Sequence, residues 1–221
     1  QWITIGWALE GVALAWLYTR VRHRGLLGTS VALLMSVLVR LAINPAVFAY
    51  HARSDIRIFN WYLYTYLVAA AATFVAAHFL RGEETMFGVR QLRPTRLLSA
   101  SGTVLLFLLL NIEIADFFAT GPSLTFGFSG ASLAQDLSYT LGWAIFAIGL
   151  LAAGVILANR AARITSIVLL VITVLKAFLH DLPSLGGLYR VASFALLALS
   201  LAVVAVALQK FVLRPSKDGS P

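Results

Sequence analysis

Apolar runs of roughly twenty residues recur along this chain with little between them, and that pattern leaves few folds open. A helix needs about 20 mostly apolar residues to cross about 30 Å of hydrocarbon. Stretches 2–19, 26–50, 58–80, 97–119, 137–159, 164–181 and 188–212 meet that requirement. Lipid offers no partner for peptide N–H and C=O groups, so runs of this length close their hydrogen bonds within themselves, as helices. The alternation that marks outer-membrane barrel strands is absent. The expectation is an all-α polytopic membrane helix bundle of about seven transmembrane helices, a single bundle over residues 1–213 with a polar tail at 214–221. Asn44-Pro45 lies inside the second run, and proline's missing N–H predicts a kink or an end there.

Lys and Arg give the bundle a direction, because connections rich in them stay in the cytoplasm. The first connection holds Arg20, Arg22 and Arg24, the third Arg81, Arg90, Arg93 and Arg96, the fifth Arg160 and Arg163, and the tail Lys210, Arg214 and Lys217. The even connections hold only Arg53 and Arg57, beside Asp55. This asymmetry places the N-terminus outside and the C-terminus in the cytoplasm. Aromatic residues at the outer boundary agree, among them Trp2, Tyr50, Trp61, Tyr62, Tyr64, Tyr139 and Trp143. A weak parallel relates the first three runs to the last three: a short basic turn leads into a helix with a cation in its outer half, Arg40 in one and Lys176 in the other.

Several function classes fall away. The net charge of +8 could suit nucleic acid, but the basic residues sit in short clusters between apolar runs rather than along one polar face. With no cysteine, disulfides, thiolate metal sites and iron–sulfur clusters are excluded. His51 and His180 near the outer boundary and His23 and His78 near the inner one invite a two-haem arrangement. His23 sits in a basic turn and His51 near a helix end, however, where solvated histidine is the ordinary case. No H-E-x-x-H, P-loop or nucleophile elbow appears, so no cofactor and no metal is expected. Gly142, Gly149 and Ala153 line one face of the fifth run, which suits close helix packing. The chain begins at Gln1 rather than Met, which reads as processing or as a piece of a longer protein.

The informative residues are polar ones inside the runs, since a charge near mid-bilayer costs about 2.5–3.5 kcal/mol on insertion scales. Glu10 lies midway along the first run. Ser36, Arg40 and Asn44 recur every four residues on one face of the second. Glu113 and Asp116 are three apart on the fourth, with Asn111 nearby; Lys176 and His180 are four apart on the sixth, with Asp181 next. Arg190 opens the seventh, Asp136 the fifth and Asn60 the third. In the expected topology nearly all lie in the outer half of the membrane, and only Glu10 is central. Their bland reading is structural pairing between helices. The functional reading is an outward-facing polar cluster that binds an anionic molecule.

The segment LKAFLHDLPSLGGLYRVASFALLALSL, residues 175–201, resembles the C-terminal signature of a bacterial membrane family catalogued as domain of unknown function 2339. The matching residues are Lys176, Phe178, Asp181, Leu182, Leu185, Gly187, Leu188, Arg190, Ser193 and Phe194. Weaker likeness runs through residues 2–11, 58–60 and 137–154. Members of that family are typically far longer, so the resemblance implies the C-terminal part of such a protein or a short relative. It brings no established activity and no catalytic roles.

The leading expectation is therefore an integral protein of the bacterial cytoplasmic (inner) membrane, with the lipid bilayer as its first partner and no nucleic acid. Arg40, Asn44, Glu113, Asp116, Lys176, His180, Asp181 and Arg190 form the candidate ligand-binding set. Arg40, Lys176 and Arg190 would hold the negative charge of a lipid-linked or envelope-derived anion. Glu113, Asp116 or Asp181 would serve as partner or general base if there is chemistry. Two alternatives stand beside it: a transporter or channel component with Glu10 as ion relay, and a structural subunit that meets other membrane subunits or upstream helices of a longer chain.

Overall fold

The computed structural model describes residues 2–43, 58–83, 93–119, 124, 132–181, 198–203 and 205–206. All regular structure among the described residues is helical. The chain divides into two compact units, Gln1–Phe126 and Gly127–Pro221.

Unit 1 holds α1 (Trp2–Arg20), α2 (Arg24–Ile43), α3 (Trp61–Phe79) and α4 (Pro94–Phe118) in up-and-down order. Local chemistry sets the helix ends. Pro94 occupies the first turn of α4, where its missing N–H costs nothing, and holds Arg93 extended (φ −81°, ψ 116°). Asn60 caps α3, its side-chain oxygen accepting the Leu63 N–H at 2.9 Å. Gly82, at φ +99°, takes the left-handed conformation just beyond α3.

Small residues let these helices pack closely, as packing between apolar helices in lipid requires. α3 buries Ala69, Ala70, Ala72, Ala76 and Ala77. A Cβ on Gly11 of α1 would lie 2.7 Å from Leu34 Cγ of α2, and one on Gly102 of α4 would lie 2.7 Å from Thr73 Oγ1 of α3. Between these contacts Leu34, Tyr66, Leu98, Leu105 and Ile112 fill the core. Buried hydroxyls are satisfied by backbone carbonyls: Ser30 Oγ donates to Gly11 O and Tyr66 Oη to Leu41 O, each at 2.7 Å.

Unit 2 holds α5 (Leu133–Ile156) and α6 (Arg160–Lys176), the latter continued by one π-helical turn, Ala177–Asp181. Ser132 caps α5 through the Gln135 N–H, and Asn159 caps α6 through the N–H groups of Ala161 and Ala162. The tight turn between them carries Ala158 at φ 50°, a left-handed conformation uncommon outside glycine. Ala147, Ile167 and Leu170 form the buried contact. The close approach is made at Gly154, where a Cβ would meet Arg163 N at 2.9 Å, whereas Gly149 faces open space. Leu137, Leu141, Ile145 and Ile148 of α5 stay exposed, a surface suited to hydrocarbon.

Among the described residues five helices are long and apolar enough to cross a membrane: α2, α3, α4, α5, and α6 with its π turn. α1 has the length for a span, but Glu10 and its tryptophans, glycines and threonines dilute its apolarity. Of the expected seventh run only 198–203 and 205–206 are described, and they are helical. Asn44-Pro45, the Arg53 and Arg57 connection, His51, Arg90, most of the Gly/Ser-rich fourth connection, Arg190 and the polar tail lie outside the described residues.

Candidate functional site

In each unit the charged side chains gather mainly toward the helix ends. In unit 1 the α1–α2 turn and the α3–α4 end carry the basic residues, and Arg22 Nη1 lies 3.6 Å from Glu83 Oε1 there. That pair is exposed and contributes little. The opposite end is formed by the start of α3 and the finish of α4. There Asn60, capping α3 with its oxygen, turns its amide nitrogen to α4 and donates to Glu113 Oε2 at 3.1 Å and Asp116 Oδ2 at 3.2 Å. The spacing of three puts both carboxyls on the α4 face that meets α3. Asn60 and Asp116 are buried, and Glu113 Oε1 is buried without a hydrogen-bond partner among the described residues. Asn111 donates instead to Phe107 O of its own helix.

Arg40, in the last turn of α2, forms no ion pair with those acids. Its guanidinium carbon lies 5.8 Å from the centroid of the Trp7 ring on α1, a cation–π contact, and it forms no ion pair with the described residues. Ser36 donates to Ala32 O, and Asn44 lies outside the described residues. Glu10 is exposed on α1, one turn beyond Trp7.

In unit 2 the π turn determines what meets what. Residues five apart on an α-helix point about 140° apart, so Lys176 and Asp181 would not face each other. The wider π turn brings Lys176 Nζ to 2.8 Å from Asp181 Oδ1. The same ammonium donates to Thr140 Oγ1 at 2.8 Å and to the Asp136 carbonyl at 3.2 Å, both on α5, which uses all three of its protons. Thr140 in turn donates to Asp181 Oδ2. The Lys176 side chain is 11% exposed and that of Asp181 3%. Outside this pair, His180 Nε2 lies 3.6 Å from Asp136 Oδ2, with half the imidazole exposed. Lys176 and His180, four apart in sequence, thus both meet Asp136, one at its carbonyl and the other at its carboxylate.

The structure therefore brings Glu113 to Asp116 and Lys176 to Asp181 and sets His180 on Asp136, while within unit 1 Arg40 meets Trp7 and Glu10 is exposed. Asn60 and Thr140 were absent from the candidate binding set, yet each joins two helices. A signal existed for both: Asn before an apolar run marks a helix cap, and Asp136 and Thr140 share a face at a spacing of four.

Long apolar helices with small-residue contacts, polar clusters at helix ends and lipid-suited outer surfaces define an integral multi-pass membrane protein. The chain belongs to the family described as "Predicted membrane protein (DUF2339)", whose model matches residues 20–211. No curated protein and no solved structure matches it.

Proposed function

We propose that the protein holds an anionic, lipid-linked or envelope-derived molecule at the outer side of a bacterial cytoplasmic membrane, and that Arg40 on its Trp7 platform is the group that holds it. The reading includes about seven spans, an outer N-terminus and a cytoplasmic C-terminus, taken from the Lys and Arg distribution. One observation carries it: the Arg40 guanidinium rests on an indole face without a carboxylate among the described residues. The carbonyl end of α2 favours a cation there in any case, but leaves the guanidinium donors to be met. A phosphate at headgroup depth meets them in pairs. Lys176 is a poorer holder of an anion, because its three donors are already engaged.

The test compares thermal unfolding of the purified protein in phosphatidylcholine nanodiscs with and without added phosphatidylglycerol. Phosphatidylglycerol should raise the Tm of the wild type and of Arg20→Gln, whose guanidinium stacks on Trp16 at the basic end, but not of Arg40→Gln. An undiminished rise in Arg40→Gln overturns the assignment.

A role in a larger assembly has its own support in the exposed charge of Glu10. A relay through Glu10 draws none from unit 1, where Glu10 is exposed and the hydrogen bonds of Glu113 and Asp116 run to Asn60.

A further inference from the structure

Two arginines of unit 1 lie over indoles, each with its guanidinium carbon 5.8 Å from the ring centroid, and the two contacts differ in kind. Arg20 and Trp16 are four apart on α1, so helix geometry alone brings them together. Arg40 and Trp7 belong to different helices, and only the packing of α1 on α2 makes them meet. Trp7 is partly buried and packed against the unit 1 core. An indole attracts a cation without supplying a counter-charge, and it has no acceptor oxygen for an N–H. The guanidinium therefore keeps its full positive charge and its donors. A carboxylate in the place of Trp7 would cancel that charge and take donors in pairs.

We propose that Trp7 sets the specificity of the Arg40 site, which selects lipids of net negative charge over zwitterionic ones. This role rests on the reading of Arg40 as the group that holds an anion. Both lipid classes carry a phosphodiester whose paired oxygens fit the guanidinium fork, so the fork alone does not tell them apart. The second charge of the headgroup does. A zwitterionic headgroup brings its own cation beside the phosphate, and an uncompensated guanidinium repels it. An arginine neutralised by a carboxylate loses that repulsion and with it the discrimination. Trp7 is thus a positioning residue, which touches Arg40 and acts on the lipid through it. The anion is a lipid phosphate rather than a soluble one, because Val39 and Ile43 beside Arg40 on α2 are exposed and apolar. A soluble ion would shed its water among them, whereas a lipid brings acyl chains to cover them.

The measurement is the Tm of the full chain in phosphatidylcholine nanodiscs as phosphatidylglycerol is titrated in, read as the mole fraction that gives half the rise. Trp7→Leu should need about twofold to thirtyfold more phosphatidylglycerol, the range of a lost cation–π contact. Trp7→Phe, which keeps a π face, should stay nearer to wild type. Trp7→Glu, which hands Arg40 a carboxylate, should show no rise; where that variant does not fold, Trp7→Leu and Trp7→Phe carry the test. Glycerol 3-phosphate added to phosphatidylcholine discs should give no rise either. A ring that only packs α1 on α2 would shift the Tm equally in both lipids and leave the half-point where it was. An unchanged half-point in Trp7→Leu therefore overturns the proposal, as does a rise with glycerol 3-phosphate equal to that with phosphatidylglycerol. If Arg40→Gln loses the rise while the Trp7 variants match wild type, the anion site stands and the role of Trp7 fails. An undiminished rise in Arg40→Gln removes both.

Discussion

Removing the Lys176 ammonium tests what joins α5 to α6 at the polar end of unit 2. In Lys176→Met a side chain of similar length remains, but the 2.8 Å contacts to Asp181 and Thr140 and the 3.2 Å contact to the Asp136 carbonyl are lost. The neutral contacts are small terms, since hydrogen bonds between membrane helices average about 0.6 kcal/mol. The charge dominates. With Asp181 3% exposed, water screens it little. Breaking a buried pair from one side costs about 3–5 kcal/mol, and that is the expected loss. The π turn should also relax, because the i, i+5 contact it serves has gone. Replacing both partners with apolar side chains of similar volume is often neutral, so Lys176→Met/Asp181→Leu should recover most of the loss.

The assay is unfolding of the purified chain by SDS titration in mixed micelles, followed by circular dichroism. The reasoning fails if Lys176→Met stays within about 1 kcal/mol of wild type, or if the double variant is as unstable as the single one. The first result would mean that Asp181 stays satisfied without the ammonium. The second would mean that packing, not charge, holds the site.

Other perturbations address single features. Asn60→Leu removes the α3 cap and the donors to Glu113 and Asp116, and should cost about 2–3 kcal/mol in the same titration; Asn60→Asp, which keeps the cap, should do no better because it adds a third carboxyl. Gly11→Ala drives a methyl into Leu34 and should lose about 1–3 kcal/mol through overpacking. Ala158→Gly relieves a left-handed alanine and should gain about 1 kcal/mol. For topology, Ser220→Cys should react with an impermeant maleimide only after the membrane is opened, and Ser123→Cys without opening; the reverse pattern inverts the orientation.

Helices were legible because hydrocarbon length is a one-dimensional requirement that a hydropathy run states directly. Their ends were less so. Runs chosen for apolarity start late where a polar first turn precedes them: α4 begins at Pro94 rather than 97, α5 at Leu133 rather than 137 and α6 at Arg160 rather than 164. The faces were least legible. A soluble helix announces its buried side by contrast with a polar one, whereas a helix between protein and lipid is apolar all round. The two faces of α1 show this: Ala8 and Ala13 look alike in sequence, yet one is fully buried and the other exposed. The Lys176–Asp181 pair was hidden for a different reason. Its spacing of five is wrong for an α-helix, and only the π turn makes it right. The grouping of Glu113 with Asp116 could be read from their spacing, but the side chain that bridges them comes from the cap of another helix.

The charges within the helices fall into two kinds, and the difference bears on function. Lys176, Asp181, Asp136 and His180 take partners within unit 2, and Glu113 and Asp116 share Asn60 within unit 1. These groups fix helices to one another, and evolution could replace such pairs with apolar residues at little cost to stability. Glu10 and Arg40 are different. One is exposed on α1 and the other lies on an indole, and neither has an ion partner among the described residues. A charge kept in a hydrophobic helix without an internal partner is a standing cost that folding alone does not repay. Both stand on the α1–α2 hairpin, so the anion site proposed for Arg40 falls there rather than on the better-connected clusters.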